Sequence, residues 1–241
     1  MSESYKEISS QEVGNLSYLK SKGLFLYSQR TYNEAIECFS MVLVLDPKDI
    51  TALIHKGNIL FIQERYSQAL ECYNRVLSIM PGHIQTWNNK GMILSNLARY
   101  AEAIECFDKI LSELDPDYIS ALNNKGLVLY NRKQYQEALV CFDKILEKNP
   151  SDFKALSNKG LALSGMKRYA EALDYFDRAL LVDPSCPHIW NNKGIISGEL
   201  GEYDKAVEYF NKGLELAPYN INILYNMGIA FYKQKQYDKA L

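Results

Sequence analysis

Residues 153–186 read FKALSNKGLALSGMKRYAEALDYFDRALLVDPSC, and the same grammar returns along the whole chain. Gly160 has counterparts at Gly23, Gly57, Gly91, Gly126, Gly194 and Gly228, at successive intervals of 34, 34, 35, 34, 34 and 34 residues. Nine residues after each glycine comes a tyrosine (Tyr32, Tyr66, Tyr100, Tyr135, Tyr169, Tyr203, Tyr237). Twelve after it comes an alanine (Ala35, Ala69, Ala103, Ala138, Ala172, Ala206, Ala240). Leu19, Leu53, Trp87, Leu122, Leu156, Trp190 and Leu224 stand four before the glycines, and Pro47, Pro81, Pro116, Pro150, Pro184 and Pro218 close the periods. A fixed period of this length, kept in register over seven copies, marks a repeat array.

Within one period the apolar residues fall at helical spacing. Leu156, Gly160 and Leu163 share one stripe, and Ala172, Phe176 and Ala179 share another, which predicts two amphipathic helices. A glycine inside a helix costs about 1 kcal/mol relative to alanine, so its recurrence needs a packing reason. The expectation is that glycine and the facing alanine let two helix backbones approach closely. Asp49, Asp152 and Asn220 stand where an N-cap begins the next period.

This pattern resembles the tetratricopeptide repeat (TPR) family. The resemblance implies an all-α solenoid, a right-handed superhelix of antiparallel helix pairs. It would run as a single array over 16–241, with repeats at 16–49, 50–83, 84–118, 119–152, 153–186 and 187–220 and a partial one at 221–241. Residues 1–15 read as a polar leader whose lack of an apolar core fits neither a signal peptide nor a membrane span. Ser9 and Glu12 have capping-box spacing, so the first helix starts either there or at Asn15. The one extra residue between Gly91 and Gly126 falls in 111–116. A longer turn or a π-bulge could absorb it, and the longer turn is expected.

Composition excludes several function classes. Twenty-seven basic against 29 acidic residues provide no basic field for nucleic acid or an anionic membrane. Four acid-before-base pairs, Glu71 with Arg75, Glu105 with Lys109, Asp174 with Arg178 and Glu208 with Lys212, are spaced to bond along the second helices as solvated faces. Cys38, Cys72, Cys106 and Cys141 all lie fifteen residues after the glycine. Equivalent positions on stacked helices are about 8–10 Å apart, too far for a disulfide or a shared zinc. They read as half-buried free thiols of a reducing, cytoplasmic setting, with Cys186 a surface thiol in a turn. His55, His83 and His188 occupy three different slots, and every recurring glycine lies inside a helix rather than in a phosphate loop. No catalytic residue, metal site or cofactor is expected, so the chain reads as no enzyme.

The remaining signal is a column two residues before the glycine: Asn89, Asn124, Asn158, Asn192 and Asn226, preceded by Ser21 and His55. In the TPR family this slot faces the concave groove. The column resembles that of the O-linked N-acetylglucosamine transferase superhelix, where an asparagine ladder grips the backbone of an extended polypeptide; that enzyme's catalytic domain has no counterpart here. A primary amide offers one acceptor and two donors, matching a peptide unit whatever its side chain. Beside the column lie Met92, Leu127, Leu161 and Ile195, with Leu24, Asn58 and Ile229 in the same slot, as an apolar floor. The alternative for the asparagines is bonding to water or to the adjacent helix.

The better-known carboxylate clamp of the family is not matched. Lys20 fits its first slot, but Leu24, His55, Gln85 and Asn89 occupy the next four. Lys22, Lys56, Lys90, Lys125, Lys159 and Lys193 precede the first six glycines. They read either as stems packed between helices with ammonium groups in water or as a cationic track. Leu224, Met227, Phe231 and Leu241 lie near a face that a further repeat would cover, which suggests end-to-end self-association. The reading is therefore a non-enzymatic protein-interaction scaffold for an extended peptide or partner segment, with no nucleic acid and no membrane. The alternative is the targeting or regulatory arm of a larger enzyme such as a glycosyltransferase.

Overall fold

Two helices joined by a tight turn form every repeat in a computed structural model that describes residues 10–240, with side chains from 15 to 238. The chain divides into two compact units at Pro116 and Asp117. The first contains α1 (Ser10–Ser28), α2 (Tyr32–Leu45), α3 (Ile50–Ile62), α4 (Tyr66–Ile79), α5 (Ile84–Asn96) and α6 (Tyr100–Lys109), the last continued by a π-helical turn at Ile110–Leu114. The second contains α7 (Ile119–Asn131), α8 (Tyr135–Lys148), α9 (Phe153–Gly165), α10 (Tyr169–Val182), α11 (Pro187–Glu199), α12 (Tyr203–Leu216), α13 (Ile221–Lys233) and α14 (Tyr237–Ala240). No strand occurs among the described residues. Within each unit every first helix packs on its own second helix, and α3, α5, α9, α11 and α13 also pack on the second helix of the repeat before. The first helix begins at Ser10, ahead of Asn15; Ser9, and with it the expected capping box, lies outside the described residues.

The packing reason for the glycines differs from the expected one. What occupies the space of the missing side chain is an aromatic ring sixteen residues later. A Cβ on Gly23, Gly57, Gly91, Gly126, Gly160 or Gly194 would lie 2.8, 2.7, 2.6, 2.5, 2.6 or 2.4 Å from a ring carbon of Phe39, Tyr73, Phe107, Phe142, Phe176 or Phe210. Those six rings are fully buried, and the alanine twelve residues after the glycine is buried beside them. In the first repeat Phe39 clusters with Ala35, Val42, Ala52 and Ile59. In the sixth, Phe210 clusters with Ala206, Ile223 and Ala230. Met227 packs against this last cluster rather than lying open, whereas Leu224 and Tyr225 are exposed.

The turn inside each repeat has one recurring backbone device. Seven residues after the glycine the chain enters the left-handed region, at Arg30, Glu64, Ala98, Lys133, Lys167, Gly201 and Lys235, with φ between 56° and 78°. That conformation costs a non-glycine residue roughly 1–2 kcal/mol. Two backbone bonds hold it in every copy. In the fourth repeat Lys133 N–H donates to the Tyr130 carbonyl at 2.8 Å and Gln134 N–H to the Leu129 carbonyl at 2.9 Å, which closes α7 with a Schellman motif. Between repeats, Asp49, Asp152 and Asn220 accept from backbone N–H groups of α3, α9 and α13, as N-caps should. His83 does the same for α5 through its ring nitrogen.

The inserted residue of the third repeat is taken up by a π-turn, not by a longer loop. Nineteen residues after the glycine, the carbonyls of Val42, Val76, Ile145, Ala179 and Gly213 accept from the residue four later. At the equivalent Ile110 the donor is Asp115, five later, at 2.8 Å. The turn that follows keeps its ordinary length. Ile110 is fully buried, so keeping its side chain and carbonyl in register and widening the last helical turn preserves the core. Of the four expected intrahelical ion pairs, Glu208–Lys212 is present, at 2.7 Å. Lys109 instead bonds Glu113, and Arg75 and Arg178 donate to the carbonyls of Pro47 and Pro150, tying a second helix to the turn before it.

The four equivalent cysteines are free and buried, more deeply than the sequence suggests, while Cys186 is half-buried. Burial raises the thiol of Cys72 and pushes that of Cys106 up to about 11. Among the described residues no group of three or more His, Cys, Asp or Glu side chains could hold a metal ion.

Two measurements check the packing of the core. Gly126→Ala should destabilise the chain by about 1–3 kcal/mol, because its Cβ overpacks against Phe142. Combined with Phe142→Leu, it should cost clearly less than the sum of the two single changes; additive denaturation midpoints would mean that glycine and ring are not coupled. Because the four equivalent cysteines are buried and Cys186 is half-buried, iodoacetamide should modify Cys186 first in the native protein and the other four only after unfolding. Fast native labelling of Cys38, Cys72, Cys106 or Cys141 would contradict the burial.

Candidate functional site

The first helices present Asn89 and Met92 on α5, Asn124 and Leu127 on α7, Asn158 and Leu161 on α9, Asn192 and Ile195 on α11, and Asn226 on α13. All are half-buried except Ile195, which is exposed. The mixed exposure follows from position. The asparagine slot, two residues before the glycine, lies about 200° around the helix from the glycine face that meets the ring of the second helix.

In the second unit the asparagines are tied across repeats. Asn158 Nδ2 donates to Asn123 Oδ1 at 2.9 Å, and Asn226 Nδ2 donates to Asn191 Oδ1 at 2.9 Å. The acceptors sit three residues before their own glycines, one position outside the recurring column. The signal was present as doubled asparagines at 123–124 and 191–192. One amide hydrogen of each rung is thereby committed, and the amide plane is held with its oxygen and second hydrogen turned elsewhere. Between α11 and α13 lies a cleft of about 340 Å³, lined by Ile195, Asn226, Ile229 and Tyr203 among others. Its floor reaches Gly198, where an added Cβ would meet nothing within 4 Å. The cleft brings two of the expected site residues, Ile195 and Asn226, to one surface.

The first unit is built differently at the same slots. Asn89 donates to Asn58 Oδ1 at 3.1 Å and accepts from Gln85 at 3.1 Å, and Tyr73 donates to the same Asn58 oxygen at 2.7 Å. The Asn89 amide is therefore engaged on both sides. One repeat earlier the slot holds His55, stacked on Phe39 with ring centroids 5.5 Å apart and meeting Tyr27 edge-on at 5.2 Å. Burial holds the His55 imidazole below its usual pKa, so a neutral aromatic contact replaces the amide there.

Three lysines of the column, Lys56, Lys159 and Lys193, form inter-repeat ties. Lys56 donates to Ser40 at 2.9 Å, and Lys159 and Lys193 pair with Asp143 and Asp177, each seventeen residues after the preceding glycine. Lys159 also lies 4.3 Å over the Tyr175 ring, and Lys193, itself buried, lies 4.6 Å over Tyr209. Neither ammonium group is released to water, and neither belongs to an open cationic track. Lys20, which fits the first slot of a carboxylate clamp, is bonded to Asp49 at 2.7 Å. No helix among the described residues is long and apolar enough to cross a membrane.

Comparison with known proteins agrees with this geometry. Family models described as tetratricopeptide repeat match residues 50–83, 84–118, 119–152 and 157–221, together well over half of the chain. A tetratricopeptide repeat protein from Parabacteroides merdae is 20% identical, with a TM-score of 0.84 over 94% of this chain and 90% of its own. PilW, a type IV pilus biogenesis factor, is 22% identical, with a TM-score of 0.77 over 86% of this chain and 96% of its own. YrrB, a TPR protein with an unusual peptide-binding site, is 23% identical, with a TM-score of 0.60 over 78% of this chain and 97% of its own. At such identities the likeness is one of fold. No curated protein sequence matches the chain. The period, the helix pairs and the family models lead to one conclusion: the chain is an all-α solenoid belonging to the tetratricopeptide repeat family.

Proposed function

We propose that the protein is a non-enzymatic interaction scaffold that holds an extended peptide segment of a partner protein, and that the second unit does most of this through Asn124, Asn158, Asn192 and Asn226. The observation that carries the reading is the anchoring of Asn158 and Asn226. Each gives one hydrogen to an asparagine of the preceding repeat, which leaves a carbonyl oxygen and a second hydrogen for a ligand. An extended chain exposes an N–H and a C=O at every residue and rises about 3.3 Å per residue. First helices about 8–10 Å apart would meet it roughly every third residue. Leu127, Leu161 and Ile195 supply apolar surface beside the rungs, and the cleft at Ile195 and Asn226 has room for a side chain. Asn89, bonded on both sides, has less to offer a ligand than Asn158 or Asn226. The buried free thiols suit a reducing, cytoplasmic setting.

The test is a peptide selected from an array of random fifteen-residue sequences. Changing Asn124, Asn158 and Asn192 together to alanine should leave the helical circular dichroism intact and weaken that peptide by about 0.5–1.5 kcal/mol per lost bond. Asn89→Ala should matter less than Asn158→Ala. Equal affinity of wild type and triple variant would remove the ladder mechanism.

A further inference from the structure

A second cleft lies on α5 and α6, in slots that the asparagine column does not use. The repeats themselves identify what it lacks. In the fifth and sixth repeats the residue fifteen after the glycine is a tyrosine, and cations from two fixed slots cover its ring. Tyr175 has Lys159 at 4.3 Å and Arg178 at 4.8 Å. Tyr209 has Lys193 at 4.6 Å and Lys212 at 5.7 Å, and it also lies against Trp190 with ring centroids 5.9 Å apart.

The third repeat keeps the residue types of that frame, with Lys109 paired to Glu113 where Lys212 pairs to Glu208, and omits the ring. Trp87 stands in the slot of Trp190, Lys90 in that of Lys193, Lys109 in that of Lys212 and Glu105 in that of Glu208. Lys90 lies 5.2 Å over Trp87, just as Lys193 lies 5.2 Å over Trp190. The slot of Tyr209, however, holds Cys106. The small thiol leaves a cleft of about 470 Å³ bounded by Trp87, Lys90, Leu94, Cys106 and Lys109. An enclosed space of about 150 Å³ already admits a benzene ring, so size does not limit entry. The Trp87 face is fixed, because its indole N–H donates to the Pro81 carbonyl at 2.8 Å. The first, second and fourth repeats also carry the cysteine, but with leucine in place of the tryptophan. The third repeat alone combines a tryptophan wall with a missing ring.

We propose that this cleft binds a tyrosine side chain of a partner protein, seated against Trp87 where the sixth repeat seats its own Tyr209. The chemistry is that of the filled sites: an aromatic pair, together with attraction between ammonium groups and an electron-rich ring. Tyrosine is favoured over an anionic ligand because Glu102 and Glu105 balance Lys90 and Lys109 around the opening. The site is independent of the peptide groove, so a failure of either reading leaves the other standing.

The probe is N-acetyl-tyrosinamide, with N-acetyl-leucinamide as the non-aromatic control, followed through the two tryptophan indole N–H signals in ¹⁵N-resolved NMR spectra. Trp190→Phe assigns the signals. The Trp87 signal should shift saturably with the tyrosine probe and much less with the leucine control, while the Trp190 signal, whose slot is filled, stays put. Cys106→Tyr should abolish the Trp87 response, and the reciprocal Tyr209→Cys should make Trp190 respond, which keeps the test alive if the first variant does not fold. No saturable shift at Trp87, an equal shift at Trp190 in the unaltered chain, or an equal response to the leucine control would overturn the proposal.

Discussion

One steric constraint organises the six full repeats: a helix side with no Cβ, and an aromatic ring pressed into the space. Six glycines meet six buried rings at distances that a methyl group would occupy. A ring in that place fixes the separation and rotation of the two helices at once, since sliding either helix by one residue would put a Cβ into the ring. The glycine costs its helix about 1 kcal/mol in propensity. Against that cost stands a ring seated flush on bare backbone, the tight fit on which close-packed interiors depend. The glycine and its ring set the helix pairing inside each repeat, and the same rings pack on the first helix of the next one, as Phe39 does with Ala52 and Ile59 and Phe210 with Ile223 and Ala230.

Polar ties also hold successive repeats together within a unit. Lys159 with Asp143 and Lys193 with Asp177 join one face, and Asn158 with Asn123 and Asn226 with Asn191 join the other. Arg75 and Arg178 reach back to the turns before them. A repeat array has only neighbour contacts to draw on, so each specific bond between repeats carries weight that a globular core would spread over many residues. Asn158 and Asn226 each give one hydrogen to the neighbouring repeat, and in the proposed function their remaining amide groups meet the ligand.

Most of the fold was legible because the period repeats each signal seven times. Helix pairs, N-caps at Asp49, Asp152 and Asn220, and the family resemblance all follow from spacing. What spacing conceals is partner identity. The ring that meets Gly126 lies sixteen residues away, and nothing local distinguishes Phe142 from the alanine four residues before it as the contacting group. The left-handed turn residue is invisible for a similar reason: Arg30, Glu64 and Lys133 are ordinary side chains, held by bonds from the turn rather than by intrinsic preference. The π-turn at Ile110 depends on an energy balance between widening a helix end and unseating a buried isoleucine, which composition does not display. At the candidate site the column of asparagines was readable; which neighbours they bond, Asn123 and Asn191 in the second unit and Asn58 and Gln85 around Asn89, depends on how the helices pack.

The central claim is that contacts within and between repeats leave one set of first-helix amides available to an extended chain. A crystal structure of the protein with an array-selected peptide tests it most directly. The account predicts an extended peptide along α7, α9, α11 and α13, with main-chain N–H groups about 3 Å from the side-chain oxygens of Asn158 and Asn226. A peptide bound as a helix, or seated on the second helices with those amides untouched, would contradict it.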